Sequence, residues 1–170
     1  MGTSTGASLS LALTNHIVQL PTQFKLRGVV ALNPMTFHPD HISQQYRSTH
    51  TSHAESRNSH CIIDVGFLET FCRAVDANPS DGSLFVGLSP HLSKFPATYI
   101  GICGADPLRD DGVILKKQLE KAGVQVQNDY YAGLPHMFWI FPDFVGCAAF
   151  KKNLLEGIKF VLDENGTLQD

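Results

Sequence analysis

Thr98-Tyr99-Ile100-Gly101-Ile102-Cys103, followed by Gly104-Ala105-Asp106-Pro107-Leu108-Arg109-Asp110-Asp111-Gly112, is the stretch that decides the fold. Its first part is apolar on successive residues, as expected of a strand buried on both faces of a parallel sheet. An acidic residue, Asp106, comes just beyond the C-terminal end of that strand, where open α/β sheets place their ligands. An aspartate there, Asp106 or Asp110, would also suit a helix N-cap. From Gly112 to Lys121 the spacing of Val113, Leu115 and Leu119 predicts a helix, and Gly123 is its C-terminal stop.

The same alternation extends in both directions. Gly28-Val29-Val30-Ala31-Leu32 is a second short apolar run, ended by Asn33-Pro34, and Val124 to Tyr131 reads as a third strand. Helices are expected from Ala7 to Leu20, with Leu9, Leu13, Ile17 and Leu20 as the apolar face, and from Phe144 to Leu162, with Cys147, Phe150, Leu154, Ile158 and Val161 on one stripe. Strand, helix, strand, helix is an α/β pattern with a three-stranded parallel sheet. Phe37 to Lys94 interrupts it as an insertion of loops and helices. This region opens on a His-, Ser- and Thr-rich tract, holds an apolar helix from Val65 to Val75, turns at Asn78-Pro79-Ser80-Asp81-Gly82 and returns to the sheet through Leu84 to Leu88.

At 170 residues, 43% of them hydrophobic and 17% charged, the chain is sized and composed for one globular domain. A net charge of -3 without a basic run leaves no electrostatic footprint for nucleic acid or for binding to acidic membrane surfaces. No apolar run approaches the roughly 18 residues of a membrane span, and MGTSTGASLS has no signal-peptide features, so a cytoplasmic chain is expected. Cys61, Cys72, Cys103 and Cys147 form no C-x-x-C pair and read as buried thiols.

Three places carry residues suited to chemistry. Gly2-Thr3-Ser4-Thr5-Gly6 fits G-x-S-x-G, the turn in which a strained backbone pushes a serine hydroxyl out between strand and helix. Read blandly, the same residues are a flexible terminus. Asp106 is the second place. His136, in Gly133-Leu134-Pro135-His136-Met137-Phe138, is the third, in the loop after the third strand. Ser4, Asp106 and His136 fall in the chain order of an α/β-hydrolase triad. A competing centre is offered by His38 and His41, His50 and His53, and His60 beside Cys61. No helix or hairpin is predicted to fix those side chains, so no metal is assigned there.

These segments resemble the hormone-sensitive-lipase-like branch of the α/β-hydrolase fold, in particular its fungal carboxylesterases. GTSTGA is similar to that family's G-D-S-A-G-G elbow, ATYIGICGADPLRDDG to its strand plus D-P-L-R-D-E-G segment, and YAGLPHMF to its Y-x-G-x-x-H-G-F segment. Thr3 stands where the family usually has Asp, and Met137 where it usually has Gly. The resemblance runs from Gly2 to about Leu162 but covers only the C-terminal half of a family member. It implies an α/β-hydrolase parallel sheet whose N-terminal strands, and the H-G-G-G segment of the oxyanion hole, are missing from residues 1–170. It further implies a serine esterase acting on small-molecule esters without metal or organic cofactor, with Ser4 as nucleophile, His136 as base, Asp106 as its orienter and the Thr5 N–H as an oxyanion donor. A sheet so reduced is expected to self-associate or to pair with a complementing N-terminal half. The alternative is a truncated, catalytically impaired fragment.

Overall fold

The computed structural model describes residues 1–21, 25–57 and 62–163. Its sheet has four parallel strands in the order β1-β2-β3-β4: β1 (Gly2–Thr3), β2 (Val29–Leu32), β3 (Thr98–Ala105) and β4 (Val126–Pro135). The described helices are α1 (Thr5–Ile17), α2 (Ser52–Ser56), α3 (Val65–Ala74), α4 (Arg109–Lys121) and α5 (Cys147–Asp163), with 3-10 turns between them. Ala31 sits at the centre of the register, opposite Gly2 on one side and Ile100 on the other.

Alternation along β2 shows why that run is apolar at every residue. Val29 and Ala31 face one layer, where Ala7 and Leu11 of α1 and Leu115 and Leu119 of α4 meet Ile100 and Ile102. Val30 and Leu32 face the other layer, against Tyr99, Cys103, and Phe150 and Val161 of α5. Burying one such aliphatic side chain stabilises by roughly 1.5–3 kcal/mol. The α5 helix lies very close to the sheet at Gly157, where a Cβ would come within 2.4 Å of the Tyr99 ring. A third cluster, Met35, Leu68, Cys72, Phe85 and Leu108, anchors α3 and its flanking loops to the segments leaving the sheet.

Several boundaries differ from the sequence expectation. The sheet has a fourth strand: Gly2 and Thr3, read as part of a turn, pair with Ala31 and Leu32. Two residues carry no periodicity, so only a neighbouring strand can define them. Strands β3 and β4 run on to Ala105 and Pro135, as far as the residues before Asp106 and His136. The α4 helix starts at Arg109 rather than Gly112; Leu115 and Leu119 are buried in the core with Val113 packed against it, and Ile114 is buried as well.

The face of α1 is also reversed. Leu9, Leu13 and Leu20 are exposed, and the helix buries Ala7, Ser8, Leu11, Thr14 and Asn15. Hydrogen bonds select that face. Ser8 Oγ accepts from the Met35 N–H at 3.0 Å, Asn15 Nδ2 donates to the Gly82 carbonyl at 3.1 Å, and Ser89 Oγ donates to Asn15 Oδ1 at 2.7 Å. By contrast the α5 stripe holds, with Cys147, Phe150 and Val161 buried and Leu154 and Ile158 packed against them. Among the described residues no helix is long and apolar enough to cross a membrane.

Candidate active site

Ser4 connects β1 directly to α1 with φ 53° and ψ -124°, a conformation that L-residues rarely adopt. Its amide continues the sheet by donating to the Leu32 carbonyl at 2.8 Å, and its carbonyl accepts from the Ala7 and Ser8 amides. The two glycines of the pentapeptide are not equivalent. A Cβ on Gly2 would sit 2.1 Å from the Gly6 carbonyl oxygen, so the tight turn requires glycine there, while a Cβ on Gly6 would meet nothing within 4 Å. Although Ser4 occupies the N-cap position of α1, its side chain makes no capping bond. The hydroxyl instead lies 3.0 Å from His136 Nε2.

Asp106 begins the loop after β3 and is 1% exposed. Its Oδ1 accepts from the Leu108 N–H at 2.9 Å. Its Oδ2 lies 2.7 Å from His136 Nδ1 and also accepts from Asn33 Nδ2. The bond to Leu108 closes a local turn, and the other two reach across the carboxyl edge of the sheet.

His136 follows the last residue of β4 and is equally buried. Met137 turns the chain away through a left-handed conformation, φ 53° and ψ 32°, which explains why a glycine suits that position. Phe138 is then buried against Tyr131 and Phe150, with ring centroids 5.2 and 5.8 Å away, and this pins the loop from below. Thus the structure brings Ser4, His136 and Asp106 into one hydrogen-bonded line. Thr5 heads α1, where the first-turn N–H groups have no intrahelical acceptor.

Sequence reasoning missed Asn33, read only as a strand terminator. It is buried at φ 50°, holds Asp106 through Nδ2 and accepts from the Cys103 thiol at 3.5 Å. Its signal was its place at the carboxyl end of β2, beside the strand that precedes Asp106. Burial pushes the Cys103 thiol up to about 12, despite the opposing bond to Asn33, so it stays protonated next to the site. Cys72 and Cys147 are buried free thiols as expected; Cys61 lies outside the described residues.

Beside Thr5 opens a cleft of about 530 Å³, lined largely by apolar groups including Leu9, Met35, Phe71, Val75 and Leu84. The His-rich tract is more ordered than its composition suggested. His38 and His41 form an isolated antiparallel bridge, and His53 lies in α2 with His50 just before it. His60, like Cys61, lies outside the described residues. Among the described residues, His50, His53 and Asp111 form the one group of three metal-capable side chains.

A parallel sheet with helices on both faces and a sharp strand-to-helix turn at its carboxyl edge is the architecture of the α/β hydrolases. The chain belongs to the alpha/beta hydrolase fold family, whose model matches residues 1–140. It is 37% identical over 167 residues to a versiconal hemiacetal acetate esterase of Dothistroma septosporum, covering 96% of this chain and 51% of that protein. A versiconal hemiacetal acetate esterase of Emericella nidulans is 34% identical over 169 residues, with 96% of this chain and 58% of that protein covered. Among solved structures, vibralactone cyclase superposes with a TM-score of 0.89 at 26% identity, over 98% of this chain and 51% of its own. The chain therefore spans about half the length of the relatives it matches.

Proposed function

We propose that this chain carries the reacting groups of a carboxylic ester hydrolase, with Ser4 as nucleophile, His136 as general base and acid, and Asp106 as the group that orients and charge-stabilises the imidazole. The observation that carries the reading is the line from Ser4 Oγ through His136 Nε2 at 3.0 Å and from Nδ1 to Asp106 at 2.7 Å. In that line His136 Nε2 takes the Ser4 proton as Oγ bonds to the acyl carbon. The protonated ring then delivers that proton to the leaving alcohol as the ester C–O bond breaks. Water repeats the sequence on the acyl-enzyme, freeing the acid and restoring Ser4. The Thr5 N–H donates to the oxyanion, and the cleft beside it takes an apolar part of the ester. Relatives named for an acetate ester support small-acyl substrates.

The test combines turnover with covalent capture. Ser4→Ala should lower hydrolysis of p-nitrophenyl acetate about 10⁴-fold or more, and a fluorophosphonate should label Ser4 in the wild type but not when His136 is replaced by Ala. Labelling of the protein elsewhere, with Ser4 untouched, would remove Ser4 from the role.

A second reading is favoured by one feature of this chain. Leu9 and Leu13 on α1, and Leu20 just beyond it, are exposed, and β1 has β2 as its single described neighbour. Under it, residues 1–170 retain the fold but turn over poorly until a complementing half covers that side and adds the second oxyanion donor. Lacking one such donor costs roughly 2.7–4 kcal/mol of barrier, or 100- to 1,000-fold in rate. Comparing p-nitrophenyl acetate turnover before and after adding a family N-terminal half separates the two readings.

A further inference from the structure

The hydrolase chemistry leaves one cluster of ligand-type side chains unused. His50 and His53 converge on Asp111, in the first turn of α4, with their ligand atoms all within 4.8 Å of one another. Asp111 is wholly buried, and its Oδ1 is held by the Thr36 and Phe37 N–H groups at 2.6 and 2.9 Å. Oδ2 is left to face the imidazoles. His50 Nε2 lies 2.9 Å from it and His53 Nε2 4.0 Å, too far for a hydrogen bond. His53 Nε2 is buried with no hydrogen-bond partner among the described residues. The two rings meet nearly edge to face, 4.3 Å apart at 72°. A buried imidazole nitrogen aimed at a carboxylate, yet bonded to nothing, calls for an occupant.

We propose that His50 Nε2, His53 Nε2 and Asp111 Oδ2 form a binding site for a zinc ion. Two imidazole nitrogens and one carboxylate oxygen are a zinc donor set, whereas calcium and magnesium require oxygen-rich sites. Bonds of about 2.0–2.1 Å in a tetrahedron place ligand atoms about 3.3 Å apart. The separations of 2.9 and 4.0 Å bracket that value, so small side-chain shifts complete the site. The Thr36 and Phe37 amides supply the outer hydrogen bonds that orient a ligating carboxylate. The His53 side chain is 12% exposed, so the cluster lies near the surface although Nε2 itself is buried. Ser4 is not part of this cluster. The ion would tie α2 of the insertion to the turn that follows Asp106, as a structural clamp rather than a participant in ester cleavage.

The 170-residue chain, stripped with a chelator, should take up one equivalent of Zn²⁺ in isothermal titration and melt several degrees higher when loaded. Co²⁺ in its place should show the intense visible bands of a four-coordinate site. His53→Ala should lose at least tenfold in Zn²⁺ affinity, because it removes one of the three ligand atoms. His53→Gln serves if the alanine variant folds poorly, and His16→Ala, at an exposed site on α1, should bind like wild type. Absence of Zn²⁺ uptake, or equal affinity in the His53 variants and wild type, would overturn the site. Neither readout involves ester turnover, so the result stands apart from the hydrolase proposal.

Discussion

Of the four described non-glycine residues with positive φ, all but Asp76 surround one hydrogen-bonded line. Ser4, Asn33 and Met137 all have positive φ, and each such residue costs of order 1–3 kcal/mol. At Ser4 the strain points the hydroxyl at His136. At Met137 the side chain contributes nothing to that line, so Met137→Gly should stabilise the fold by up to about 1 kcal/mol, the αL relief of about 1–2 less the entropic cost of glycine. Chemical denaturation would detect it as a higher midpoint at unchanged slope. Asn33 combines both roles. Asn33→Ala should cost about 1–3 kcal/mol, by leaving the buried Asp106 short of a donor and by placing alanine at φ 50°. Asn33→Gly relieves the second effect alone, so a melting temperature between those of wild type and the alanine variant is expected.

Among the elements, α2 depends most on distant partners. A helix of five residues cannot sustain itself. Its N-terminus is capped from 58 residues away: Asp110 Oδ2 accepts from the Thr51 and Ser52 N–H groups at 2.6 and 2.8 Å. Ser52 Oγ donates back to the Pro107 carbonyl at 2.7 Å, and Arg109 reaches both Asp110 and Glu55. Burial alone would raise the Asp110 carboxyl, but the Arg109 guanidinium and the two amides outweigh it and hold the group below the usual carboxylate range. A carboxyl depressed in the folded state adds stability above its unfolded value of about 3.9 and loses it as pH falls through the folded value. Asp110→Asn should therefore lower the melting temperature at pH 7 and narrow its gap from wild type below about pH 4. A gap that stays constant with pH would mean that the carboxylate charge does not support α2.

Over the whole molecule, one side is left apolar. Leu9 and Leu13 are 57% and 59% exposed on the outer face of α1, next to the short edge strand β1. Exposed apolar faces and unpaired strand edges favour association. Replacing Leu9 and Leu13 together by Gln should reduce self-association in sedimentation velocity and leave stability within about 0.5 kcal/mol per site, because neither side chain packs in the core. Cys72, Cys103 and Cys147 should resist alkylation in the folded chain and react once it unfolds, since all three are buried.

Much of this architecture is legible in local sequence. The apolar run of β2, the α5 stripe, and the positions of Asp106 and His136 just past two strands all follow from period and punctuation, which a single segment carries by itself. The rest needed contacts between distant segments. Two-residue β1 exists only through pairing with Ala31 and Leu32. The α1 helix turned its polar Ser8 and Asn15 inward because Met35, Gly82 and Ser89 offer hydrogen bonds there, a choice that hydrophobic periodicity cannot register. Asp110 and Asp111 look like first-turn carboxylates of α4, yet they cap α2 and hold Thr36, Phe37 and His50 from 58 to 75 residues away. Sequence alone determined which residues could reach the carboxyl edge of a parallel sheet. Tertiary structure decided which buried donors and acceptors satisfy one another there, because the cost of an unpaired buried polar group is set by neighbours that are remote in the chain.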